Sequence, residues 1–203
     1  MKIPMLYTHF GYEFNQSIGG GKRHTGIDLN RGAPQSDRGL PIHSMADGVV
    51  VYSKSTGKGW GHLVVIHHPK YNVWTRYGHL GRRDIQEGEE VKEGRIIGTC
   101  GSTGGNWAPH LHFDVIHKEL PRWTDYSLNT SKARVDEYYY DPLPYIDATN
   151  AQEDSDIYFL EEWQKIPWDK GMKKGILTDG SIPTDTVTKA DLMVFFDRLG
   201  LLD

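Results

Sequence analysis

The sequence predicts a mainly β protein: an antiparallel sheet domain with a groove over residues 1–150, then a small α-helical module over 151–203. Two observations lead there. Between Ile42 and Val115, short β-branched and aromatic runs alternate with glycine, and no helical period appears. Beyond residue 154 the apolar spacing switches to three and four.

Residues 7–23 are rich in glycine and polar side chains, with Phe10 and Phe14 as anchors, and read as a loop. Residues 29–41 have the composition of a second surface loop. The clearest strands are 48–52, 63–66 and 71–77, with turns at 55–59 and 68–70. In 87–98, glycines closely spaced around short apolar pairs predict strands joined by tight turns. After Lys118 the texture becomes polar and aromatic up to Asp141-Pro142-Leu143-Pro144, and the small polar run 147–154 predicts the domain boundary. Helices are expected over 157–165, up to Gly175, and from an N-cap at Thr188 through Leu192, Phe195, Phe196 and Leu199.

At 203 residues the chain can bury a proper core. A formal net charge of −4 gives no electrostatic reason for nucleic acid or an anionic membrane as partner. The single cysteine, Cys100, has no second thiol and reads as a small packing residue. No run approaches the roughly 20 apolar residues of a membrane span. The N-terminal stretch lacks the apolar core and cleavage site of a secretory signal, so delivery by another route is expected.

Two distant stretches carry the chemistry, His24-Thr25-Gly26-Ile27-Asp28 and Pro109-His110-Leu111-His112-Phe113. Side chains alternate along a strand, so an extended reading puts His24 and Asp28 on one face and Thr25, Ile27 and Leu29 on the other. It likewise puts His110 and His112 together, with Leu111, Phe113 and Val115 toward the core. A catalytic zinc takes three imidazole or carboxylate ligands and leaves a position for water. These stretches offer four candidates, so one histidine is left to handle protons. His9, His43, His62, His67, His68 and His117 read as ordinary structural or surface residues. The run 101–106 lacks the GK[ST] ending of a phosphate loop and is expected to wall a groove, its glycines letting a peptide lie close.

With HTGID, HSMADGVVVYS, WGHLVVIHH, YGHL and GSTGGNWAPHLHF in this order, residues 8–115 resemble the M23 or LytM family, the lysostaphin-type zinc endopeptidases of peptidoglycan. The resemblance implies the lysostaphin/LytM fold of duplicated hybrid motif type, and one Zn2+ per chain held by His24, Asp28 and His112. It implies His79 and His110 as the catalytic pair, one taking the proton of water and the other stabilising the oxyanion, in either order. Asn106 and Trp107 are expected to contact a peptidoglycan substrate, and Trp107 has an equal expectation as a packing residue. Two rivals stand beside this reading: a catalytically silent relative, and a D-Ala-D-Ala carboxypeptidase, whose wider His-to-Asp interval and Glu-containing motif are not found. Residues 170–198 loosely resemble one S-layer-homology repeat, implying wall binding, with a helical cap or dimerisation unit as the alternative. Together with the absent signal, this predicts a phage or prophage endolysin, made in the host cytoplasm and released onto the wall, or carried by the virion.

Overall fold

The structure, a computed structural model, describes residues 1–125 and 131–146. Its strands are β1 (His9–Phe10), β2 (Ser17–Gly19), β3 (Lys22–Arg23), β4 (Ile27–Asn30), β5 (Pro41–His43), β6 (Gly48–Ser55), β7 (His62–His68), β8 (Val73–Leu80), β9 (Arg82–Arg83), β10 (Glu90–Val91), β11 (Ile96–Thr99), β12 (Leu111–Ile116) and β13 (Tyr139–Tyr140). One short helix, α1 (Lys132–Asp136), precedes β13. A large antiparallel sheet runs β1-β4-β12-β8-β7-β6-β10, with β13 also on β12. A three-stranded sheet runs β5-β11-β9, and β2 and β3 form a separate hairpin.

The alternation expected of β12 is what the fold uses. Leu111, Phe113 and Val115 are fully buried in the main core with Leu29, Val64 and Tyr77. His112 and Asp114 point to the opposite face, since adjacent strand residues face opposite ways. Burying each such apolar side chain contributes on the order of 2 kcal/mol, which ties the residues between them to a fixed place. In register, His112 lies opposite Asp28 of β4 on one side and Gly78 of β8 on the other.

The expected strands over 48–52, 63–66 and 71–77 are present as β6, β7 and β8. The third starts later than expected, because Tyr71 and Asn72 belong to the turn from Pro69, with Asn72 at φ +51°. In 87–98, β10 and β11 are both there but join different sheets, β10 pairing with β6 and β11 with β5 and β9. The loop after β4 is tied down by Asp37, whose carboxylate accepts from the Arg31 amide at 3.0 and 3.1 Å. Helix α1, unexpected from sequence, is too short to show a period. Its start is marked by Ser131, whose hydroxyl oxygen accepts from the Arg134 amide at 3.1 Å.

Cys100 is buried, and burial first of all pushes its thiol up to about 12, so it packs as an unreactive side chain at neutral pH. Among the described residues no helix is long and apolar enough to cross a membrane. The first compact unit runs Met1–Asp154. The boundary expected over 147–154, the three helices expected after it and the S-layer-like stretch lie outside the described residues.

His67 and His68 show the two faces of β7. His67 stacks on Trp74, while His68 is fully buried, its Nδ1 2.9 Å from the Asp47 carbonyl oxygen and its Nε2 2.7 Å from the Thr75 hydroxyl. Burial holds the His68 pKa below its ordinary value. Above about pH 6.5 both folded and unfolded imidazoles are neutral and no stability is lost. Below that, the unfolded chain takes a proton the folded one resists, and stability falls by at most about 1.4 kcal/mol per pH unit. Urea midpoints are expected to drop between pH 7 and pH 5, and the drop to shrink in His68→Gln; an equal drop in both proteins would contradict this.

Candidate metal centre

Asp28 and His112 meet because β4 and β12 pair in register. His24 arrives differently from the sequence expectation: residues 24–26 are not strand, and β4 begins only at Ile27. Thr25 does not turn away from His24 toward the core; its hydroxyl accepts from Arg76 Nη2 at 3.4 Å, on the same side of the sheet. The reason lies at Gly26, where a Cβ would stand 2.1 Å from the Phe113 carbonyl oxygen. Only glycine lets the chain pass so close to β12 before entering the sheet.

Three donor atoms converge. His24 Nε2 lies 2.9 Å from His112 Nδ1, and each lies 3.1 Å from Asp28 Oδ1. All three residues are buried. Against burial, which opposes it, contacts with His112 and then His24 hold the Asp28 carboxyl well below the usual carboxylate range. Burial lowers the His112 pKa, but the charge of Asp114 first, and then Asp28, raise it to about 9. Two ring nitrogens and a carboxylate oxygen aimed at one another with their lone pairs are stable only around a proton or a cation. Two imidazoles and one carboxylate are a donor set that suits zinc, so the residues present fit the ion.

The other ring nitrogens are also held. A carbonyl oxygen only accepts, so His24 Nδ1–H donates to the Glu13 carbonyl at 3.2 Å, leaving Nε2 its lone pair. His79 Nδ1 donates to the Thr103 carbonyl at 3.2 Å, and His110 Nδ1 to the Ala108 carbonyl at 2.9 Å. These two rings lie 4.9 Å apart, and His110 Nε2 is 3.8 Å from Asp28 Oδ1. Burial, then the neighbouring His112 and His110, pull the His79 pKa to about 3, so its imidazole is neutral at pH 7.

His79 has φ +61°, a left-handed backbone that costs a side-chain-bearing residue about 1–2 kcal/mol. It is clamped there by the Trp60 carbonyl, which accepts its amide at 2.9 Å, and by Thr103, whose amide donates to its carbonyl at 3.4 Å. His79→Gly is therefore expected to melt no lower than His79→Ala although both lose the ring; a Tm several degrees lower would show that no strain resides there.

The donors open onto a cleft of about 380 Å³. Tyr12, Ile18 and Lys22 border it together with Trp107, which is 40 % exposed and meets the His79 ring edge-on at 4.8 Å; Trp60 also lines it. Asn106 is exposed but is not among the lining residues; Trp107, the next residue, supplies that wall. Among the glycines of 101–106, Gly104 has a role inside the fold. At Gly104, φ +93°, a Cβ would stand 2.1 Å from the Gly59 carbonyl oxygen, so this residue packs loop against loop.

Sequence reasoning missed Tyr12, Ile18, Lys22 and Trp60 in the cleft, and Asp114 and Arg76 beneath it. Asp114 was within reach, because the alternation that pairs His110 with His112 continues to it.

Residues 22–123 match Peptidase family M23. The chain is 39% identical over 116 residues to the DD-carboxypeptidase/endopeptidase Mpg of Neisseria meningitidis, covering 55% of this chain and 25% of that protein. It is 43% identical over 110 residues to the peptidoglycan DD-endopeptidase ShyC of Vibrio cholerae, covering 50% and 24%. The chain thus spans about a quarter of the length of these relatives. Among solved structures, the catalytic domain of the antimicrobial peptidase lysostaphin from Staphylococcus simulans superposes with a TM-score of 0.51 at 26% identity, over 68% of this chain and 90% of that one. Half the chain, with both histidine stretches and all three converging donors inside it, falls under one family pattern, and the chain belongs to peptidase family M23.

Proposed function

We propose that this chain is a zinc-dependent endopeptidase that hydrolyses peptide bonds in the stem peptides or cross-bridges of bacterial peptidoglycan. The observation that carries the reading is the meeting of His24 Nε2, Asp28 Oδ1 and His112 Nδ1 beside two imidazoles outside that donor set. Bound by these three residues, one per chain, a zinc ion supplies Lewis acidity toward a peptide carbonyl and toward water.

His79 and His110 handle the protons. Each is fixed through Nδ1 by a carbonyl, so Nε2 is the accepting atom. One takes a proton from the attacking water as the carbonyl carbon gains oxygen. A protonated imidazole then stabilises the oxyanion or donates to the leaving amine as the C–N bond breaks, so one water yields one carboxylate and one amine. Trp107 and Tyr12 offer apolar walls for an extended peptide. The named activities of the Neisseria and Vibrio relatives support peptidoglycan as substrate class.

The Neisseria relative's name also joins carboxypeptidase to endopeptidase, which gives a second reading, removal of a terminal D-alanine. Digestion of purified sacculi followed by mass spectrometry of the muropeptides separates the two. Loss of cross-linked dimers with matching new monomers is expected. Monomers shortened only by alanine would replace the first reading with the second, and an unchanged profile on sacculi of several cross-bridge types would remove both.

A further inference from the structure

Behind His112 lies a buried pair of charges that the hydrolytic scheme does not use. Asp114 and Arg76 face each other across β12 and β8, and neither is exposed at all. Arg76 Nε donates to Asp114 Oδ2 at 2.5 Å. Its other nitrogens reach the Trp123 carbonyl at 2.9 Å and the hydroxyls of Thr25 and Tyr139 at 3.4 Å, and its guanidinium lies 3.9 Å from the centre of a Trp60 ring. That leaves Asp114 Oδ1, which stands 3.1 Å from His112 Nε2. Both of these atoms are buried and neither has an aligned hydrogen-bond partner, so at 3.1 Å they are left to each other.

From this geometry we infer that Asp114, oriented by Arg76, is a positioning residue: it accepts the Nε2–H of His112 and so keeps the Nδ1 lone pair aimed at His24 Nε2 and Asp28 Oδ1. The inference rests on the zinc reading of that donor set. The physical reason is that a neutral imidazole has one N–H, and the partner of one nitrogen decides which atom keeps the lone pair. His24, His79 and His110 have backbone carbonyls in this role, all at Nδ1. His112 is reversed, with a carboxylate at Nε2, which is the arrangement its register opposite Asp28 requires. Arg76 completes the device by claiming the second oxygen and fixing the carboxylate plane; its guanidinium has no acceptor to offer, so it can only donate.

The two obvious variants are ranked in opposite orders by a positioning role and by a packing role. In Asp114→Asn, Arg76 claims the amide oxygen and the amide NH2 is turned to His112 Nε2. That forces the proton onto Nδ1, the atom needed for the metal. In Asp114→Ala no tautomer is imposed. Zinc affinity of the full chain, measured by competition with a chromogenic chelator, is therefore expected to fall about 10–100-fold in Asp114→Ala and further still in Asp114→Asn. A packing role alone would make the isosteric Asn variant the milder one, with zinc affinity unchanged or least affected; that result overturns the inference. Should neither variant fold, long-range 1H–15N spectra of the wild-type zinc-loaded protein decide it: His112 is expected to carry its proton on Nε2, and a proton on Nδ1, or no Nε2–H at all, overturns the inference. If the wild-type chain holds no zinc, the zinc reading falls and this inference with it. Normal zinc binding by both variants removes this inference alone.

Discussion

His112→Ala is expected to emerge without zinc and without hydrolytic activity. The residue gives one of three converging donor atoms and sits in an interior strand of the sheet, opposite Asp28. Removing it leaves His24 Nε2 and Asp28 Oδ1, 3.1 Å apart, a pair that cannot hold a four-coordinate ion alone. His24→Ala and Asp28→Ala should behave in the same way. Metal content of the purified variants should fall from one zinc per chain to near none, and turbidity loss of sacculi to the rate without enzyme. A His112→Ala protein that retained stoichiometric zinc would refute its place among the ligands.

The converse is expected at the other two histidines. His79→Ala and His110→Ala should keep their zinc and lose activity by a factor of roughly 10²–10⁴, the usual contribution of a positioned acid or base. The rings stand outside the donor set, His110 Nε2 at 3.8 Å from Asp28 Oδ1 and His79 at 5.9 Å between ring centres from His112. Zinc loss in His110→Ala would mean that the two histidines of His110-Leu111-His112 have exchanged roles.

The roles of these five residues came from the family resemblance, whereas the shared facing of His110 and His112 was legible in the residues themselves, because strand alternation is local. The spacing of His110, His112, Leu111 and Phe113 is enough to separate a polar from an apolar face, and β12 keeps to it. At His24-Thr25-Gly26 the same rule fails, because the path there is set by a distant backbone: the Phe113 carbonyl that Gly26 skirts is 87 positions away. The strands β5, β9 and β10 are two or three residues long and leave little pattern to read. Tyr12, Ile18 and Lys22 became cleft residues only through the placement of the segment before β4, which no spacing encodes. Arg76 was hidden for the opposite reason. A charged residue in a β-branched and aromatic run reads as solvent-facing, yet here it is fully buried because Asp114 stands across from it.

The arm that borders the cleft also delivers His24, one of the three converging donors. β3 ends one residue before His24, whose amide donates to the Gln16 carbonyl at 2.8 Å and whose carbonyl accepts from the Asn15 amide at 2.9 Å. On the proposed reading, transplanting loops here to change the bond cut would also disturb the binding of the ion. The Trp107 side, which contributes no donor atom, is the safer place for such engineering, and diversity libraries should begin there.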